Sequence, residues 1–348
     1  MSTCPAKRSA EDAARLGLEP MQRLDVTAPK NTAELLAAMS KTAFTGRTLG
    51  EAVAVSEAMV RDGAWVVLTL SGAMTMAGLS LLAVEMIERG WVHCVVATGA
   101  LVGHGLTEDI GMHHYKADPN IPDEAYLAAR LNRVYDVIEP EYNLDQLAEH
   151  ARELLGRLAD SRSEPVGTHE LLRFFGEQLP GRGVLQAAAQ HQVPVIIPAF
   201  SDSELGLDFM VHRYARERQG QDYLRYDAFR DLVHYAELCQ QQTREGRPLG
   251  IFTVGGGVPR NWAQQVAPYV DVLNGRLELE LPVPRFRYGV RICPDPVHYG
   301  HLSGCTYSEG VSWGKFVPPA AGGRYAEVLL DATVGWPLIV RALLERSV

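Results

Sequence analysis

Four stretches of this chain are apolar at almost every position and then stop abruptly at a small or polar residue. Ala64 to Leu70 (AWVVLTL) ends at Ser71-Gly72, and Val92 to Ala97 ends at Thr98-Gly99. Val193 to Pro198 (VPVIIP) precedes Phe200-Ser201-Asp202, and Leu249 to Val254 runs into Gly255-Gly256-Gly257. Tyr288 to Cys293 and Tyr325 to Leu330 extend the set, the latter followed by Asp331. A strand with one wet face alternates apolar and polar residues. A strand apolar on both faces belongs in a parallel sheet covered by helices on each side. The intervening segments supply the helices. Leu79 to Arg89 carries Leu79, Leu82, Val84, Met86 and Ile87 as an apolar surface and stops at Gly90; Ala228 to Gln242 and Val334 to Arg346 follow later. The pattern predicts an α/β fold.

The chain has 348 residues, 47% hydrophobic and 22% charged, which suits one large α/β domain or two smaller ones. The reading adopted is a flexible N-terminal arm over residues 1–30 and a single catalytic domain over 31–348. Residues 118–165 are more polar and read as a helical connecting region, with a loop near Ser161 to Gly167. The net charge of −9 argues against a nucleic-acid partner and is compatible with cationic substrates. The five cysteines are scattered and form no CxxC pair, so neither a disulfide framework nor a structural zinc site is expected. The polar first residues predict no secretory signal, and no apolar run reaches the length of a membrane span. A cytoplasmic protein with no membrane partner is the expectation.

Open α/β sheets place ligands outside the carboxyl ends of their strands. The turns at Ser71-Gly72, Thr98-Gly99 and Gly255 to Gly257, with Asp202 and Asp331 at two further strand ends, therefore point to a nucleotide site. Glycine lets a phosphate approach the backbone, and an acid can accept from ribose hydroxyls. Asp331 is equally placed to cap the following helix. His104 follows the Thr98 turn and is expected to face the same crevice. His113, His114, His298 and His301 show no tight ligand spacing, so no metal site is expected.

The chemistry concentrates in Ser308 to Lys315 (SEGVSWGK). A lysine among apolar groups loses part of its preference for the charged form, and a neutral amine can form an imine with a carbonyl-like carbon. Trp313 offers a face to a cation, and Glu309 can pair with an amine. Taken alone, the segment reads more readily as the start of an amphipathic helix with a surface lysine. The ligand turns elsewhere favour the chemical reading.

These residues together resemble the deoxyhypusine synthase family, including its bacterial deoxyhypusine-synthase-like branch and homospermidine-synthase-type relatives. The resemblance runs from about Ala43 to Ala342. Glu309 to Lys315 (EGVSWGK) carries it most strongly, supported by Ser71 to Gly78 (SGAMTMAG), Pro194 to Gly206 (PVIIPAFSDSELG), Val254 to Val258 (VGGGV) and Asp331-Ala332-Thr333. The resemblance implies a Rossmann-like parallel sheet binding NAD, and a homotetramer with active sites at the dimer interface. It implies contacts to NAD at Ser71, Gly72, Thr98, Gly99, Asp202, Gly256, Asp331 and Ala332. It places Glu309, Trp313 and Lys315 in an amine pocket, with Lys315 as the catalytic lysine. The implied reaction transfers a 4-aminobutyl group from spermidine, through a Lys315 imine, to an acceptor amine.

The departures bear on the amine. Where the family has two adjacent glutamates, this chain has Gly103 and His104; a family histidine is replaced by Asn261, and an aspartate by Leu302. Each lost carboxylate–ammonium hydrogen bond costs roughly 1.5–3 kcal/mol of binding. Asp295 and Glu309 are the acids expected to compensate, and His104 is a candidate hydrogen-bond partner or proton acceptor. The leading reading is an NAD-dependent aminobutyl transferase with an altered amine pocket and a small acceptor such as putrescine, giving homospermidine. A true deoxyhypusine synthase acting on a lysine of a hypusine-type initiation factor, and a non-catalytic NAD- or polyamine-binding relative, are the alternatives.

Overall fold

The computed structural model describes residues 11–346. The strands are β1 (Trp65–Leu70), β2 (Cys94–Ala97), β3 (Tyr115–Lys116), β4 (Leu131–Val134), β5 (Val137–Pro140), β6 (Val195–Ile196), β7 (Leu249–Val254), β8 (Phe286–Ile292) and β9 (Arg324–Val328). Six form one sheet in the order β6-β2-β1-β7-β8-β9, and every pairing in it is parallel. All six carboxyl ends therefore open on the same edge. The chain leaves β1 toward β2 on one side and returns to β7 on the other, so strand order reverses beside β1. That reversal is where such sheets bind ligands.

The alternation along β1 shows why both faces must be apolar. Val66, Leu68 and Leu70 enter one core cluster, while Trp65 and Val67 enter the other. β7 divides in the same way, with Phe252 and Val254 on one face and Leu249 and Ile251 on the other. Each fully buried side chain of this kind contributes about 1.5–3 kcal/mol. The polar exceptions Thr69 and Thr253 pair with each other across β1 and β7, Oγ1 to Oγ1 at 2.9 Å.

Element boundaries differ from the sequence expectation where local chemistry intervenes. Only Val195 and Ile196 of the expected Val193 to Pro198 strand pair with β2. Pro194 and Pro198 flank them and have no N–H for a ladder, which confines the segment to the sheet edge. The helix after β1 spans Ser80–Glu88 and follows a wide turn over Thr75–Leu79, in which Gly78 has φ 75°. The last helix is longer than expected, Ala332–Glu345, because Asp331 caps it through Thr333 N at 2.8 Å.

The expectation of a helical connecting region over 118–165 needs correction. It contains helices Asp123–Ala128 and Glu141–Ser161, but also β4 and β5, which with β3 form a small antiparallel sheet ordered β3-β5-β4. The outer strand β4 is largely exposed, so it lacks the apolar face that would betray it in sequence. The hairpin turns at Tyr135, which takes φ 53°.

Residues 1–10 of the expected N-terminal arm lie outside the described residues. Leu16, Leu18 and Met21 are exposed, and the Gln22 N–H donates to Lys41 O at 3.0 Å. Among the described residues no helix is long and apolar enough to cross a membrane.

Candidate active site

The strand-end turns assemble along the carboxyl edge of the large sheet. A crevice of about 410 Å³ is lined by Gly72, Thr98, Gly99, His104, Asp202 and Glu204, among others. Thr98 Oγ1 donates to Gly72 O at 3.1 Å, which ties the β2 turn to the β1 turn. The glycines divide into two kinds. Gly72 takes φ 72° and a Cβ there would meet nothing closer than Met74 Cε at 3.8 Å. Gly257 takes φ 61° and has open space around it. These two leave backbone accessible to a ligand. Gly99 and Gly256 are required by packing: a Cβ on Gly99 would lie 2.1 Å from Asp202 O, and one on Gly256 would lie 2.5 Å from Ser303 Cβ. Ser71 Oγ donates to Gly256 O, joining the β1 and β7 turns.

An accessible glycine turn, an exposed Asp202 and the start of helix Gly257–Gln264 on one edge fit a dinucleotide. Asp331 is exposed and caps the last helix, its Oδ1 accepting from Thr333 N and Thr333 Oγ1; Ala332 after it is buried.

His104 does line the crevice, and what stands behind it could not be read from the sequence. Glu139, on β5, is wholly buried and hydrogen bonds to His104 Nδ1, to Thr107 Oγ1 at 3.1 Å and to His114 Nε2 at 3.2 Å. His114 Nδ1 also lies 3.0 Å from Glu108 Oε1. Burial alone would push the Glu139 carboxyl up, but the two imidazoles bring it down to about 2. Burial alone would lower His114, but Glu108 and Glu139 raise it to about 9. The hydrogen bond to Glu139 likewise raises His104. Potential ligand atoms of His104, His114 and Glu139 lie within 4.8 Å of one another, a grouping of the kind that can hold a metal ion and that sequence spacing did not reveal. In this structure the hydrogen bonds among the three account for their arrangement.

Glu204, the first residue of helix Glu204–Arg218, also faces the crevice. Its carboxylate packs where a Cβ on Gly103 would be, 2.1 Å from that position, and its Oε1 lies 3.9 Å from His104 Nε2. An acid from a different element thus occupies the neighbourhood of Gly103 and His104. Its position two residues after Asp202 was the available signal.

Lys315 sits elsewhere. Its backbone O accepts from Phe286 N, at the amino end of β8, and its N–H donates to Gly310 O. The side chain is 8% exposed, so the surface-lysine reading fails. Burial lowers its pKa; the Cys305 thiol and Glu309 oppose that, and Arg260 reinforces it. The amine lies 5.8 Å from the Trp313 ring centre, and Trp313 itself is 66% exposed. Glu309 is exposed in the first turn of helix Tyr307–Ser312. Asn261 follows Arg260 on helix Gly257–Gln264. Asp295 hydrogen bonds to Ser303, the residue packed on Gly256, which places it beside the β7 turn. Leu302 is exposed.

The fold and these two groupings define an α/β protein with a crevice at the carboxyl ends of a parallel sheet and a buried lysine. The deoxyhypusine synthase family profile matches residues 34–343, and the chain belongs to that family. It is 32% identical over 327 residues to a probable deoxyhypusine synthase 2 of Methanosarcina mazei, covering 91% of this chain and 88% of that one. A deoxyhypusine synthase-like protein of Coxiella burnetii is 27% identical over 337 residues, 94% of this chain and 90% of that one. Among solved structures, a putative deoxyhypusine synthase from Entamoeba histolytica has the same fold, with a TM-score of 0.58 and 16% identity over 92% of this chain and 96% of that chain.

Proposed function

We propose that the chain is an NAD-dependent transferase that moves a 4-aminobutyl group from a spermidine-like polyamine to an amine acceptor through an imine on Lys315. The observation that carries the proposal is a buried lysine, with its pKa lowered, beside an exposed tryptophan face in a family member. NAD, when bound, would supply the hydride acceptor for the amine carbon and the hydride donor for the final imine. The protein residues do the rest. Lys315, as a free amine, attacks the oxidised carbon and displaces 1,3-diaminopropane, keeping the four-carbon group as its own imine. The acceptor amine then displaces Lys315. Trp313 and Glu309 hold the cationic tail. Gly72, Thr98 and Asp202 hold the dinucleotide, and Glu204 with His104 stands on the amine side of that crevice.

In this reading the site is completed by a second copy. The Lys315 backbone is bonded at the first residue of β8, and the ligand turns lie beyond its last residue, a strand length of about 20 Å away along the backbone, which supports sharing. Val258, Tyr299, Leu302 and Trp313 are exposed apolar groups suited to a subunit contact. The proposed assembly is a cytoplasmic homotetramer with each site shared across a dimer; these exposed groups support a subunit contact.

The loss of family acids favours a small acceptor such as putrescine over a protein lysine. Incubating the purified protein with NAD, spermidine and either putrescine or a hypusine-type initiation factor tests this. Homospermidine is the expected product. Labelled factor in its place would make the protein a deoxyhypusine synthase, and no product with either acceptor would overturn the transferase reading.

A further inference from the structure

Glu139 is a fully buried carboxylate, and among the described residues its ion-pair partners are two imidazoles, with no lysine or arginine. Each imidazole turns one nitrogen to Glu139 and the other toward a second acid. His104 meets Glu139 through Nδ1, and Glu204 Oε1 lies 3.9 Å from its Nε2. His114 meets Glu139 Oε1 through Nε2 at 3.2 Å and Glu108 Oε1 through Nδ1 at 3.0 Å. An imidazole set between two carboxylates is either doubly protonated or holds a cation on one nitrogen and a proton on the other. The second case is the carboxylate–histidine–metal arrangement, in which an outer acid fixes the tautomer and aims the inner nitrogen at the ion. The framework for it is present twice here, around one shared carboxylate.

The spacing suits zinc. Bonds of about 2.0–2.2 Å place neighbouring ligand atoms of a tetrahedron about 3.3 Å apart. The separation of His114 Nε2 from Glu139 Oε1, 3.2 Å, is close to that edge, and ligand atoms of all three residues lie within 4.8 Å of one another. Two imidazole nitrogens and a carboxylate oxygen are a zinc-type donor set, and three protein ligands leave a fourth position for water. We propose that His104, His114 and Glu139 form a binding site for a zinc-type divalent cation, with Glu108 and Glu204 as the outer acids. Protons and the cation compete for the same two nitrogens, so the hydrogen-bonded cluster described above is the metal-free form of the site. The ion ties helix His104–Asp109 to β5 beside the crevice. Nothing in this depends on the chemistry given to Lys315.

The test is calorimetric titration of the full chain, stripped by chelator, with zinc chloride alone and neither NAD nor polyamine present. One zinc per chain with a Kd of about 1 µM or tighter is the expected result. Glu139→Gln keeps the side-chain shape and removes the charge, and should weaken zinc by at least about a hundredfold; Glu108→Gln, acting through His114, should weaken it about ten- to a hundredfold. His301→Gln removes the histidine 3.6 Å from Asp295 and should leave the affinity unchanged. A parent that takes up no zinc at about 100 µM overturns the proposal without any variant. Zinc lost in His301→Gln but kept in Glu139→Gln is surface binding and overturns it as well. Glu108 is 32% exposed, so its variant decides the matter even where Glu139→Gln does not fold: unchanged zinc affinity in either folded variant overturns the site.

Discussion

The buried His104–Glu139–His114 cluster makes stability depend on pH in a way that can be measured. His114 is raised to about 9 by Glu108 and Glu139, against about 6.5 in an unfolded chain. The folded state therefore holds that proton more tightly. The resulting stabilisation is complete below about pH 6.5 and is lost as pH rises through about 9. Glu139 works in the other direction: lowered to about 2, it stabilises above its unfolded value and loses that only in strong acid. The accessible test is the alkaline arm. A 2.5-unit shift corresponds to about 3.4 kcal/mol, and sharing Glu139 with His104 reduces this to about 2–3 kcal/mol. His114→Gln removes the titrating group while keeping a polar side chain. Urea unfolding of parent and variant at one protein concentration should show the parent ahead by about 2–3 kcal/mol at pH 6, with the gap closing by pH 10. The two chains differ in His114 and, through the shared Glu139, in His104, so the difference reports the titration of this coupled group. A gap that stays constant from pH 6 to pH 10 would refute a charged His114 in the folded protein.

Three further substitutions probe the two groupings. Gly99→Ala forces a Cβ to 2.1 Å from Asp202 O, so the β2 turn must move; NAD affinity by fluorescence titration should fall at least about tenfold, and an unchanged affinity would remove Gly99 from the crevice's supports. Trp313→Ala deletes the ring beside the Lys315 amine and should weaken polyamine binding by about 0.5–2 kcal/mol in calorimetry, with NAD binding unaffected. His104→Ala should lower turnover and alter its pH profile on the alkaline side of the ordinary histidine range, and the same profile in both proteins would leave His104 a structural partner of Glu139.

The large sheet was legible because its strands are apolar on both faces, a pattern few other structures share. The crevice was legible through the turns that end those strands, and His104 was correctly placed beside Thr98 by chain order. The groups behind His104 were not legible. Glu139 comes from a hairpin whose outer strand is exposed and carries no periodic signal, and its contact with His104 spans 35 residues of chain. The two roles of glycine were also hidden: Gly72 and Gly99 look alike as letters, and only the packing of Asp202 and Ser203 against Gly99 separates them. Arg260 went unnoticed because an arginine in an amphipathic helix normally faces water. Asp331 caps the last helix through Oδ1, as the sequence allowed, and remains exposed at the strand end.

The central claim, covalent transfer through Lys315, is tested most directly by trapping. Protein incubated with NAD and spermidine, reduced with borohydride and digested should yield a peptide containing Lys315 with an added aminobutyl group, and Lys315→Ala should yield none. An adduct on another lysine, or none on Lys315 while product still forms, would contradict the account.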